Sequence, residues 1–157
     1  MNLQREEIGV LPSRCYLVPA LSIKEQVLYP EVGCTSISDE AVIEILSECG
    51  LGKLVHFEEL NDSKQEAFWL NLSDGEKQLI ALCRAVLKKP KLLFIDEALS
   101  NLSQDRIHWL FNKLEALSIT AVTISHRADH DALIQQHHHK KLTLFGDGSG
   151  RWTIERI

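Results

Sequence analysis

Apolar and polar positions along this chain keep one rhythm in its first half and another in its second. From Ser38-Asp39, a pair suited to cap a helix, SDEAVIEILSECG places apolar side chains at helical spacing and stops at Gly50, which predicts a helix ended by glycine. Lys53 to Leu60 predicts a second short helix. The polar stretch Asn61 to Glu66 predicts a loop leading to Phe68-Trp69. Upstream, the first ten residues carry no periodic signal. Cys15-Tyr16-Leu17-Val18 predicts a short strand stopped by Pro19, and Ser22 to Tyr29 is a brief mixed segment ended by Pro30.

The second half alternates strand with helix. Ser73 with Glu76 three residues on has the form of a capping box, and Glu76 to Leu87 continues as a helix up to Pro90. Leu92-Leu93-Phe94-Ile95 is a continuous apolar run ending in Asp96-Glu97, the pattern of a buried parallel strand. Asp105 to Leu117 predicts an amphipathic helix, Ile119 to Ser125 a β-branched strand, and Ala128 to Gln136 a further helix. The tail, KLTLF then GDGSG then RWTIERI, predicts a hairpin. The fold class that follows is α/β, a parallel sheet with flanking helices. The helices before Phe68 have no strand between them and predict a small helical lobe.

Composition narrows this picture. The 157 residues are one domain's worth, 45% hydrophobic and 25% charged, with a net charge of −5. An acidic balance argues against nucleic acid as a partner, because phosphate binding of that kind needs clustered Lys and Arg. Cys15, Cys34, Cys49 and Cys83 show no CxxC spacing and read as reduced, semi-buried thiols. No apolar run reaches bilayer length and the N-terminus has no signal-peptide pattern, so a cytoplasmic protein, peripheral to any membrane it serves, is expected. Trp69, Trp109 and Trp152 read as packing residues, and the run His137-His138-His139 as a solvated helix end.

The candidate chemistry lies between Leu72 and Arg127. Two acids, Asp96 and Glu97, end a strand at the edge where open α/β sheets bind ligands. An acid there can hold Mg²⁺ against phosphates, and a second can polarise water. Alone, the pair reads sooner as an ordinary strand end whose acids cap the next helix. Upstream, Leu72 to Gln78 opens directly onto a helix, where backbone N–H groups, the Ser73 hydroxyl and the close-approach Gly75 make an anion site. Downstream, a strand ends at Ser125-His126-Arg127, placing a histidine at the same sheet edge.

These motifs resemble, in order and spacing, those of ATP-binding cassette (ABC) ATPases. LSDGEKQ resembles their signature motif, LLFIDE their Walker B, SNLSQD their D-loop and TISHR their switch-histidine loop. CYLVP, SIKEQVLYP and the helical stretch resemble the lobe between Q-loop and signature. LFGDGSGRWTIERI is similar to the closing hairpin of the branch holding peroxisomal fatty-acyl half-transporters and related bacterial proteins. The resemblance implies a partial P-loop NTPase fold over residues 1–157, with a helical lobe at about 31–71 and a core at 72–157. It implies that Asp96 binds Mg²⁺, that Glu97 is the general base and that His126 contacts the γ-phosphate. Ser73, Gly75 and Glu76 would meet ATP bound on a facing subunit, and Ser100 to Ser103 would cross that interface. The implied cofactors are ATP and Mg²⁺. The implied partners are a second ABC ATPase domain and a transmembrane domain, coupling ATP hydrolysis to transport.

The sequence departs from the family at several points. The Walker A loop, G-x-x-x-x-G-K-[ST], is absent from it. Gly50-Leu51-Gly52-Lys53 imitates it, but follows a helix and runs on into Leu54, so it reads as an interhelical turn. The family's Q-loop glutamine should follow CYLVP, yet the chain passes straight to ALSIKEQ, as if residues were missing, and Gln26 belongs to the later element. Asp74 replaces a glycine and sets negative charge beside a phosphate site, and Leu79 replaces an arginine. The chain is therefore expected to be inactive alone. It would complete a partner's ATP site or, in the alternative reading, act as a non-catalytic pseudo-ATPase that regulates an ABC protein. Exposed apolar surface and sheet edges lead to an expectation of self-association.

Overall fold

The computed structural model describes residues 3–31, 33, 36–55, 60–64, 66–125 and 128–157, with the backbone alone at 128–131. Three parallel strands form the core sheet: β1 (Ile8–Leu11), β2 (Leu92–Asp96) and β3 (Thr120–Ile124), in that order. Register runs Val10 to Phe94 to Val122 across the sheet, and Asp96 lies beside Ile124. The helices are α1 (Ile23–Leu28), α2 (Asp39–Glu48), α3 (Glu66–Leu70), α4 (Asp74–Lys88), α5 (Gln104–Ala116) and α6 (Ala128–Gln135). A separate antiparallel hairpin, β4 (Lys140–Leu144) with β5 (Trp152–Arg156), closes the chain.

Helix α4 is the centre of the molecule. Ile80, Leu82, Cys83 and Val86 are all buried, so this helix is covered on several sides at once, as a helix between a sheet and a helical lobe must be. It lies against β1, α1, α2 and α5. Helix α5 buries Ile107, Leu110, Phe111 and Leu114, the i, i+3, i+4, i+7 stripe of an amphipathic helix. Leu11, Leu93 and Ile95 point from the sheet into this core. Their strand neighbours Val10, Phe94, Val122 and Ile124 point the other way and stay exposed.

The first ten residues hold more structure than their polarity predicts. Ile8 to Leu11 is the first core strand, disguised by Gly9, whose missing side chain admits Pro90 and Leu93: a Cβ there would stand 2.9 Å from Pro90 Cγ. Conversely, Cys15 to Val18 is not a strand. Its backbone groups are taken by side chains: Val18 N–H donates to Gln26 Oε1 at 3.0 Å, Gln26 Nε2 donates to Val18 O at 2.9 Å, and Arg84 donates to Tyr16 O at 3.0 Å. A buried glutamine thus replaces a neighbouring strand. Ser22 to Tyr29 is not a mixed segment but helix α1 with its own Ser22/Glu25 capping box. The predicted helix Lys53–Leu60 is a 3-10 turn at Gly52–Leu54, and residues 56–59 lie outside the described residues.

Two further expectations change. With β1 at Ile8–Leu11, the residues that follow the strand are Pro12, Ser13 and Arg14, so no gap precedes ALSIKEQ, and none of the three is glutamine. The histidine run is not a solvated end either. His137 stacks on Phe111 with ring centroids 4.9 Å apart and meets His108 Nδ1 at 3.0 Å; only His139 of the three is exposed. The reason is the adjacent α5 face, which offers an aromatic surface to an imidazole. Cys49 and Cys83 are fully buried and Cys15 half-buried, while Cys34 lies outside the described residues.

Candidate functional site

The start of α4 is built by a reciprocal cap. The Ser73 hydroxyl accepts from Glu76 N–H at 3.2 Å and donates to Glu76 Oε2 at 2.8 Å, while Ser73 N–H donates to the same carboxylate at 2.9 Å. Lys53, the lysine of the GLGK imitation, closes on Glu76 from the lobe at 2.7 Å. The Lys53 contact first, then the Ser73 N–H and hydroxyl, draw the Glu76 carboxyl from its ordinary 4.5 to about 2. Glu76 is therefore a fixed anion whose negative charge is already matched.

Asp74 does not load this turn with uncompensated charge. Its side chain is 88% exposed and lies 3.8 Å from Lys77. Gly75 stands against the loop that follows β2: a Cβ on it would lie 3.7 Å from Asn101 O, an ordinary contact. The turn at Ser73–Glu76 and the loop that follows β2 are thus neighbours. Gln78, one turn into α4, is buried and donates from Nε2 to Pro12 O at 3.2 Å, fixing α4 to the segment that leaves β1.

At the other end of that loop, Asp96 closes β2 on the exposed face of the sheet. Glu97 has φ 51°, the left-handed region that costs a non-glycine residue about 1–3 kcal/mol and persists only where surroundings hold it. Its N–H donates to Ile124 O at 3.0 Å and its carbonyl accepts from Ser100 N–H at 3.4 Å. The strained turn fixes Glu97 between the end of β3 and Ser100. Ser100 is half-buried. Ser103 is exposed and starts α5 through its carbonyl, which accepts from Arg106 at 3.0 Å and Ile107 at 3.1 Å. His126, with Arg127, lies outside the described residues.

The fold brings the Ser73–Glu76 turn, through Gly75, beside Asn101, and joins Glu97 to both Ser100 and β3. Lys53 and Gln78 are the residues that sequence reasoning missed. Gln78 had a faint signal, a polar residue in an apolar helical stripe; Lys53 had none, because its partner is remote in sequence. Surface clefts beside Lys24 and Asp39 (360 Å³) and between α1 and the end of α4 (520 Å³) lie away from these residues.

Known proteins give this arrangement a family. The sequence family described as ABC transporter matches residues 1–100. The chain belongs to the ABC transporter family. ATP-binding cassette sub-family D member 3 of mouse is 30% identical over 159 residues, spanning 98% of this chain and 23% of that protein. The human lysosomal cobalamin transporter ABCD4 is 32% identical over 141 residues, spanning 87% of this chain and 22% of that protein. An ABC transporter ATP-binding protein of Haemophilus influenzae is 29% identical over 134 residues. This ABC chain thus spans about a quarter of the length of the curated relatives it matches. Among solved structures, a bacterial Atm1-family ABC exporter with ATP bound shares the fold at a TM-score of 0.62 and 23% identity, over 80% of this chain and 22% of that one. The partial ABC ATPase fold is therefore as the motifs implied.

The residues fit ATP and Mg²⁺ only in part. Mg²⁺ takes one or two carboxylates and fills its shell with phosphate oxygens and water, a demand that an exposed carboxylate such as Asp96 meets. The phosphate cradle is not met: the Walker A sequence is absent, and Lys53, the lysine of its imitation, is engaged by Glu76. No helix among the described residues is long and apolar enough to cross a membrane.

Proposed function

We propose that this chain is the signature and Walker B portion of an ABC transporter ATPase domain, a helical lobe at about 31–71 joined to a core at 72–157, and that it completes an ATP site whose phosphate loop lies elsewhere. The reading rests above all on the capped turn Ser73–Glu76, set beside the D-loop in a sequence without a Walker A. Backbone N–H groups at the start of α4 and the Ser73 hydroxyl would receive the γ-phosphate of ATP held on a facing ABC domain. For that, the hydroxyl must turn from Glu76 to the phosphate, and the Lys53 contact keeps Glu76 satisfied meanwhile. Mg²⁺, when bound, neutralises phosphate charge. On this side Asp96 would hold it, Glu97 would orient water and His126 would contact the γ-phosphate. Ser100 and Ser103 would cross to the facing domain. The assembly would sit on the cytoplasmic face of a transmembrane domain and couple hydrolysis to transport.

The purified chain is expected to show no ATP turnover; turnover abolished by Glu97→Gln overturns the reading. Mixed with a P-loop-bearing ABC domain whose own signature serine is replaced by alanine, it is expected to restore hydrolysis. Ser73→Ala should then cut that restoration by roughly 10²-fold, the scale for one lost anion-hole donor. Inhibition of the partner in place of restoration would favour the regulatory pseudo-ATPase.

A further inference from the structure

Away from the motifs, α5 and the turn that follows α6 bring two imidazoles together. His108 lies within α5, and His137 lies just beyond α6, where its N–H donates to Ile134 O at 3.0 Å and fixes the turn. His108 Nδ1 and His137 Nε2 are 3.0 Å apart, their ring centroids are 5.2 Å apart, and both residues are half-buried. Phe111, one turn along α5 from His108, holds the His137 ring by stacking. His138 is engaged with Ile134 O through Nδ1 at 2.8 Å, and His139 is exposed.

We propose that His108 Nδ1 and His137 Nε2 bind a zinc ion that bridges α5 to the turn after α6. Spacing carries the assignment. Two imidazoles on one tetrahedral ion, with Zn–N bonds of about 2.05 Å, place their nitrogens about 3.3 Å apart and their ring centres about 5.2 Å apart. The ring centres here already have that separation, so the rings need only tilt in place to part the nitrogens slightly. A right-angled pair, as on square-planar Cu²⁺ or Ni²⁺, would bring the ring centres to about 4.5 Å. Nitrogen ligands also exclude Mg²⁺, which demands oxygen. Burial, then His108 and His138, lower the proton affinity of His137 and so keep its lone pair free, while Glu115 lends a field that favours a cation. Both rings bind as neutral imidazoles: the proton between the two nitrogens passes to the far nitrogen of its own ring, and the ion takes its place. No third histidine, cysteine or carboxylate among the described residues completes the cluster, so water fills the other two positions.

Calorimetric titration of the folded chain with zinc chloride at neutral pH, in the presence of Mg²⁺, tests this. One zinc per chain at micromolar free ion is expected, with a Tm that rises as zinc is added. His108→Asn and His137→Phe, the second of which keeps the stack on Phe111, should each weaken binding at least tenfold, whereas His139→Ala should leave it unchanged. Circular dichroism checks that the variants fold. Ring-nitrogen NMR of the parent chain needs no variant, and should show His108 Nδ1 and His137 Nε2 as the coordinated nitrogens. Absence of zinc binding, equal competition by Mg²⁺, or binding that survives His108→Asn overturns the proposal. So does loss of binding in His139→Ala, which would assign the ion to the histidine run alone, or an NMR spectrum in which other nitrogens shift in place of these two.

Discussion

The two faces of the core sheet come from alternate residues of the same strands, and their surroundings could hardly differ more. Leu93 and Ile95 are shut beneath α4 and α5, while Phe94, between them in sequence, is more than a third exposed. All-parallel sheets bury both faces, and the unbroken run Leu92 to Ile95 has the composition for that. The described helices cover only one side. A strand's composition thus states which environments its residues suit, and the rest of the structure decides which of them it meets.

This comparison can be broken most sharply by truncation. Ile95→Ala should cost about 2–5 kcal/mol of stability in a denaturant titration, whereas Phe94→Ala on the open face should cost under about 1 kcal/mol. Equal losses would mean that the open face is covered in solution. On the helical side, Gly50 ends α2 at φ 89°, and the Arg106 guanidinium, which donates to Glu48 O at 3.0 Å, occupies the place a Cβ would need. Gly50→Ala should therefore cost about 1–3 kcal/mol by strain and by displacing α5 from α2.

Smaller effects sharpen the reading of the capped turn. Ser73→Ala should cost about 1 kcal/mol through the lost cap, measurable as a lower Tm. Gly75→Ala should not lower Tm, because its Cβ meets Asn101 only at ordinary contact distance. The Glu76 carboxyl is depressed in the folded chain, so its contribution is complete above its ordinary 4.5 and is lost as pH falls from there toward about 2. A urea midpoint followed across that window should fall less steeply in Glu76→Gln. His137 works in the opposite half of the scale. Burial, then its neighbours His108 and His138, lower its affinity for a proton, with Glu115 opposing. Its packing is thus fully present above pH 6.5 and weakens below it, an effect that His137→Phe should remove from the pH dependence of Tm.

Local signals were legible where one stretch of chain satisfies itself. The helix from Ser38, the Ser73/Glu76 box, β2, α5 and the closing hairpin all followed from spacing, caps and turn glycines. Even α1 had such a signal in Ser22 and Glu25, which the proline after it obscured. The failures share a cause: side chains remote in sequence determined the outcome. Gln26 and Arg84 claimed the backbone of Cys15 to Val18, Pro90 made room for a strand only where Gly9 stands, and Phe111 drew His137 inward.

By itself, then, the sequence determined the α/β class and the order of the family-like motifs, because each is written in residues close together along the chain. The tertiary structure alone decided that Lys53 steadies Glu76, that Gln78 anchors α4 to the end of β1, and that the sheet carries one covered face and one bare one. Those facts depend on which surfaces meet across long stretches of chain. Periodicity marks a residue as apolar and gives its facing, but not what lies opposite.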